Sequence, residues 1–343
     1  MARAKPTREE WRKLYEAAIK IAGAEPWKWM TESQIFGVQN PEDGEIWFVS
    51  IMGQLGEHFA VNSYLDVEGL NDFYRLNQDP YSTPDQILEI HQLQTSFEDQ
   101  ELLKREDLAI IKKLGLNFST NNSIPLFRRI KPGFVPWFLE QKEICFMTMI
   151  LEQTLEVASR VKVDSSVLKD PRQGYCLIRY IEQGDNKKIW QERILKMPPR
   201  DPFPVQIGMD ESAKAAFRVM PKKNYKVEVD LFRVPSAIKE KGKPPYYPYL
   251  FLIVDTQNGL VLSNEIFAPK KSLIDVWSEI PLYFVRQIER LGAVPREVII
   301  RSFALTHLLQ PLAEAYPFKL TRSHNLDSLD AAKSAFFNHL KSS

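Results

Sequence analysis

Residues 249–267 read YLFLIVDTQNGLVLSNEIF. The first six, Tyr249 to Val254, are all apolar or aromatic, and the seventh is Asp255. A strand with no polar face must be covered on both sides, so this stretch predicts the interior of a sheet. Asn258 and Gly259 then mark a hairpin, because Asn-Gly supplies the positive φ angles of a tight turn. A second strand follows. Asp255 stands where a buried strand ends. A carboxylate there is either a metal ligand or the first residue of a turn, whose amides Asp readily accepts.

Working outward, the rest of the C-terminal half alternates in type. Before the hairpin, KNYKVEVDLFRV reads as a strand over 225–234, and PSAIKEKGKPPYYPY as a surface loop. DESAKAAFRVM, 210–220, predicts a short helix. After the hairpin, SLIDVWSEIPLYFVRQIERLG is a helix stopped by Gly292, and REVIIRS is a short apolar strand. ALTHLLQPLAEAY is a helix bent at Pro311, FKLTRS a strand, and NLDSLDAAKSAFFNHL a closing helix.

The N-terminal half opens with an amphipathic helix over 7–22, where Thr7 and Glu10 form a capping-box pattern. EIWFVSIMG and EHFAVNSYL form two strands joined through Gly53 to Gly56, and Asp66 starts a short helix. TSFEDQELLKREDLAIIKKLGL predicts a helix beginning near Ser96 or Glu98 and ending at Gly115. From Pro136 to about Val161 runs a long apolar helix of central packing character. A β-hairpin is predicted at about 173–198, turning through QGDN. The expectation is a two-domain α+β protein. Residues 1–162 hold a small antiparallel sheet with helices, and 163–343 a mixed α/β domain with the hairpin at the junction.

The chain has 343 residues, with 45 Lys and Arg against 44 Asp and Glu. A net charge of +1 does not mark a protein that coats nucleic acid, although a local basic patch could still bind it. Cys145 and Cys176 both lie in apolar runs and read as buried thiols. With five histidines and no CxxC or HxxxH spacing, no zinc site is expected. No signal-peptide core or membrane-length run occurs, which points to the cytoplasm. GQLGEH joins two strands and so is a hairpin loop, and no GxxxxGK[ST] phosphate loop is present. Ser33, Ser50 and Ser302 lack a nucleophile-elbow setting.

PWKWMTESQIFGVQNPEDGEIWFVSIMGQLGEHFAVNSYL, with PGFVPWFLEQKE further on, resembles an uncharacterised bacterial N-terminal domain also found beside plasmid-type ORF-3 proteins. The last hundred residues resemble a second uncharacterised domain that often accompanies it. The resemblance implies a bacterial cytoplasmic protein and carries no activity. The order strand–strand–strand–helix–strand–helix–strand–helix (βββαβαβα) is, in addition, similar to the ribonuclease-H-like fold. Its enzymes hold two divalent metals, Mg or Mn, between carboxylates, which suit hard ions.

On that likeness the weak candidates are Asp230 in the first strand, Asp255, and Asp327 or Asp330 opening the last helix. Asp275 and Glu279 lie four apart on one helix face. The pattern departs after REVIIRS, where an acid is required and Arg301, Ser302 and Phe303 stand. A second set of candidates is Trp27, Trp29 and Trp47, which could line a ligand groove or pack a core, with Trp137 beside them. His58 could serve as a base or sit at a strand start as structure. The basic runs RRIK at 128–131 and KEKGK at 239–243 read as solvated surface. A non-catalytic binding or regulatory protein without cofactor is the first expectation. A metal-dependent nuclease with an incomplete acid set is the second, and a small-ligand binder the third.

Overall fold

The computed structural model describes residues 5–118, 124–168, 174–184, 187–197, 219–241 and 244–342. The helix expected at 210–220 lies almost wholly outside them, as does part of the QGDN turn. The chain forms two compact units. The first comprises residues 1–74, 90–131 and 136–200; the second comprises 75–89, 132–135 and 201–343.

The first unit is built on seven strands: β1 (Phe36–Gln39), β2 (Ile46–Met52), β3 (Ala60–Leu65), β4 (Gln92–Glu98), β5 (Ile124–Ile130), β6 (Tyr175–Gly184) and β7 (Lys187–Lys196). Their order is β5-β4-β3-β2-β1-β6-β7. Neighbours are antiparallel except β1 and β6, which run parallel. The sheet is therefore mixed and larger than the small antiparallel one expected, because the 173–198 hairpin joins its edge through β1. β4 corrects the helix expected to start near Ser96. Leu93, Thr95 and Phe97 alternate along it, and Leu93 and Phe97 enter the core.

Two helices give this sheet its core. α1 (Arg8–Ala24) begins at Thr7, whose hydroxyl accepts the Glu10 amide while Glu10 accepts the Thr7 amide. Such a cap stabilises a helix by about 1 kcal/mol. Leu14, Tyr15, Ala18 and Ile21 are buried on its inner face. They meet Ile144, Met147, Leu151 and Val157 of α4 (Gln141–Val163) in one apolar cluster. Full burial of each large side chain contributes roughly 1.5–3 kcal/mol. α2 (Asp66–Gln78) and α3 (Arg105–Leu114) complete the helices of this half of the sequence.

The second unit has five strands: β8 (Lys222–Arg233), β9 (Tyr249–Asp255), β10 (Val261–Phe267), β11 (Val294–Ile300) and β12 (Lys319–Arg322). The order is β10-β9-β8-β11-β12. β9 runs antiparallel to both β8 and β10, and β11 runs parallel to both β8 and β12. β9 is central in this antiparallel set and buries all six of its apolar residues, as YLFLIV requires. α5 (Leu273–Leu291) and α6 (Phe303–Ala315) pack Ile280, Phe284, Leu305 and Leu309 against Val227, Val229, Phe251 and Ile253. α7 (Asp327–Ser342) covers the other face, with Leu326 and Leu329 against Phe232, Leu250, Leu252 and Val254.

The two early segments are bound into this unit by specific contacts. Arg322 Nη2 donates to both carboxylate oxygens of Asp79, at 2.9 and 2.8 Å, and its guanidinium covers the Tyr81 ring. Tyr247 and Val135 exchange the segments' backbone bonds with Gly133 and Pro245. No helix among the described residues is long and apolar enough to cross a membrane.

Candidate functional site

Alternation along β8 divides its side chains between the two faces of the sheet. Val227 and Val229 point to the α5–α6 side, and Glu228 and Asp230 point to the α7 side. Both carboxylates are buried, at 6% and 5% exposure. Glu228 Oε2 accepts the Leu329 amide at 2.7 Å and so caps the start of α7. Burial pushes its carboxyl above the usual range, and the amide bond pulls it back.

Asp230 lies near the carboxyl end of β8. Val229 is in register with Ile300, so Arg301 leaves the end of β11 beside it. Ligands of open α/β sheets gather at such strand ends, where the chain departs to opposite sides of the sheet. Asp230 Oδ1 accepts the Leu231 amide at 3.0 Å. Burial raises its pKa, and the charges of Lys333 and Arg301 act against that rise.

Arg301 donates through Nε to the His324 carbonyl at 2.9 Å and through Nη2 to Asp330 at 2.6 Å. Lys333, one turn after Asp330, holds its ammonium 4.2 Å from the centre of the Phe232 ring. Ser302 caps α6, its hydroxyl accepting the Leu305 amide. A cleft of about 90 Å³ is lined by Asp230, Arg233, Arg301, Lys333, Glu89 and Ser302, among others. That is room for about three waters at some 30 Å³ each, or for one small polar group. The wall brings three cations together with two carboxylates, so the buried charge is already compensated by the protein.

Of the acids expected to share an ion, Asp230 and Asp330 come to the same strand end and Asp255 does not join them. Asp255 is opposite Val227 in the β8–β9 register, and Asp230 opposite Leu252, so the two aspartates belong to opposite faces of the sheet. Asp255 Oδ1 accepts the Gln257 amide at 2.7 Å, the bond of an Asx turn. Asp327 is exposed in the first turn of α7. Asp330 is committed to Arg301. Asp275 accepts the Ser272 amide as the third residue of a capping box, and Glu279 pairs with Lys270. No group of three or more His, Cys, Asp or Glu among the described residues is arranged to hold a metal ion. The donor set does not fit the two-metal centre that the ribonuclease-H-like order implies.

Trp27 and Trp47 belong to the first unit's core, Trp29 packs against it, and Trp137 is half-buried under Lys104. Trp27 and Trp47 are each 7% exposed; Trp27 packs on Phe59 and Phe97, and Trp47 on His91 and Phe146. Trp29 is half-buried, donates to the Ala158 carbonyl and lies under Lys162. Its neighbours thus occupy both its polar edge and a ring face. His58 is exposed, with Nδ1 3.6 Å from Glu98. Cys176 is buried and its thiol is pushed up to about 12, whereas Cys145 is only partly buried. Within the RRIK run, Arg128 is no surface residue. It is 6% exposed and bonds Asp107 through both terminal nitrogens, at 2.9 and 2.5 Å.

Glu228, Arg233, Lys333 and Glu89 were not among the expected site residues. For Glu228 the signal was available: VEVD places two acids on one face of a strand whose other face is apolar. Glu89 carries no such signal, being drawn in from 141 positions before Asp230.

Residues 11–179 match the model of a domain of unknown function, DUF7309. Residues 215–337 match that of a second domain of unknown function, DUF6930. No curated protein matches the chain. The sequence is thus covered by two successive domains whose descriptions name no activity.

Proposed function

We propose that the protein is a non-catalytic binding or regulatory protein of the bacterial cytoplasm, whose second unit is a ribonuclease-H-like fold without its metal centre. The strand order β10-β9-β8-β11-β12, with three antiparallel strands followed by two parallel ones, supports the fold. The single observation that carries the function is Arg301. It stands at the end of β11, where the metal enzymes place an acid, and is ion-paired to Asp330. A guanidinium there repels the cation that catalysis would need and neutralises the carboxylates that would hold it. The cleft is left as a small polar recess suited to recognising a ligand group.

The test is a thermal melt with and without manganese, on the wild type and on Asp230→Asn and Asp255→Asn, beside a nuclease assay on single- and double-stranded substrates. A protein that binds the ion in its folded state is stabilised by mass action. The expected result is no manganese-dependent shift and no turnover in any of the three proteins. A shift present in the wild type and lost in Asp230→Asn, together with metal-dependent cleavage, would establish the nuclease reading instead.

A further inference from the structure

We propose that the groove beside β10 receives an extended, basic segment of a partner protein, added as a sixth strand to the second unit's sheet. This site is separate from the Asp230 cleft and does not depend on the reading given for it. Among the described residues β10 is an outer strand that pairs with β9, and it has seven residues against four in the opposite edge strand β12. Edge strands present unpaired amides and carbonyls, and proteins usually blunt them with charges, prolines or bulges. Over its first half the edge of β10 is closed by geometry, while its second half carries the charge of Glu265. The register slips between Val261 and Ser263, and the Tyr283 hydroxyl donates to the Asn264 carbonyl at 3.2 Å. Its second half, Glu265 to Phe267, carries Ile266 at 55% exposure.

A groove of about 550 Å³ opens along that second half. This is within the range of about 300–1,000 Å³ typical of binding sites. Apolar surface comes from Ile266, Phe134, Tyr246 and Pro269. Gly133 sets the Phe134 wall: its φ is +84°, and a Cβ there would fall 2.9 Å from Pro269 Cβ. Among the described residues lining the groove, the charged groups are Glu265, Glu240, which accepts the Tyr246 hydroxyl at 2.9 Å, and Glu279, which is tied to Lys270 at 2.7 Å. The exposed Glu265 carboxylate selects lysine or arginine in the occupant, and the apolar wall selects an aliphatic or aromatic residue. Strand addition supplies both, since alternate side chains of an added strand enter the groove while its backbone bonds the edge.

The experiment is selection from a phage-displayed library of random nonapeptides against the whole protein. The selected peptides are then measured by fluorescence anisotropy on the wild type and on Glu265→Lys and Ile266→Lys. Enriched sequences should alternate apolar and basic residues. Glu265→Lys should weaken them about tenfold, as loss of one attraction and gain of one repulsion would give. N-methylation of alternate peptide amides should abolish binding in one register and spare it in the other. The proposal is overturned if no peptide is enriched, if acidic peptides bind equally, or if both variants bind as the wild type. It is equally overturned if the wild type forms dimers that Ile266→Lys disperses, because the edge would then serve a second copy of the chain.

Discussion

Two arginine–carboxylate pairs, one in each unit, differ in a way that separates structure from site. Arg128 and Asp107 are both 7% exposed at their side chains, doubly bonded to each other, and Asp107 also accepts the Lys104 amide. Every strong polar group there has its partner. Arg301 and Asp330 are joined by one bond, with Asp330 44% exposed, and the deeply buried acid beside them, Asp230, is compensated through space. The first pair is a closed unit of architecture. The second sets a buried acid at a cleft, which makes it the candidate place for function.

Removing one member tests the difference most severely in the first pair. Asp107→Ala should lower stability by about 3–5 kcal/mol, because Arg128 is left charged and buried, and urea denaturation should show the loss. Asp79→Ala comes next. It strips Arg322 of two charge-assisted bonds, and a loss of about 2–3 kcal/mol is expected from the same measurement. Arg301→Ala should lose about 1–2 kcal/mol: Arg301 is 16% exposed and gives up its bonds to the His324 carbonyl and Asp330, but Asp330 is 44% exposed and regains water. If Arg301→Ala is as damaging as Asp107→Ala, the contrast between the two pairs collapses.

Asp230→Asn sharpens the contrast through pH. The folded-state carboxyl titrates above its ordinary 3.8, so the native protein holds this proton longer than the unfolded chain does. Its contribution to stability is present at low pH and is lost as pH rises from 3.8 through the folded value. The variant, which cannot ionise, should show a flatter stability profile from about pH 4 upward and equal or exceed the wild type at neutrality. A steeper profile would mean that Asp230 is held ionised by its neighbours. The smallest effect belongs to Asp255→Asn, a change of about 0.5 kcal/mol or less, because Asn makes the same turn bond.

What could be read in the sequence follows from how local the determining physics is. YLFLIVDTQNG fixes a buried strand and its turn within eleven neighbouring residues, and both form as read. In the N-terminal half the sheet is larger than its sequence announces. FGVQ is too short to show a period, and QLQTSFE hides its alternation because Gln92 and Ser96 are buried as fully as Leu93. For the site, Arg301 appeared only as a missing acid. Its role emerges when α7 delivers Asp330 and Lys333, and β8 delivers Asp230, to the same strand end. That convergence is a property of the topology and leaves no trace in spacing.

The segments 75–89 and 132–135 give the second unit a history as well as a shape. Asp79 and Arg322, which bond there, are 243 residues apart. Synthesis at some 5–20 residues per second separates their emergence by at least several seconds. Asp79 thus leaves the ribosome long before Arg322, the partner it bonds in the folded unit, exists. A fragment beginning at residue 201 would contain Arg322, Arg301 and the whole five-stranded sheet, yet lack Asp79, Tyr81 and Glu89. Its wall at the cleft would be missing, however well its strands paired. The unit that carries the candidate site is encoded discontinuously, and a change near position 80 is inherited by a site otherwise specified beyond position 220.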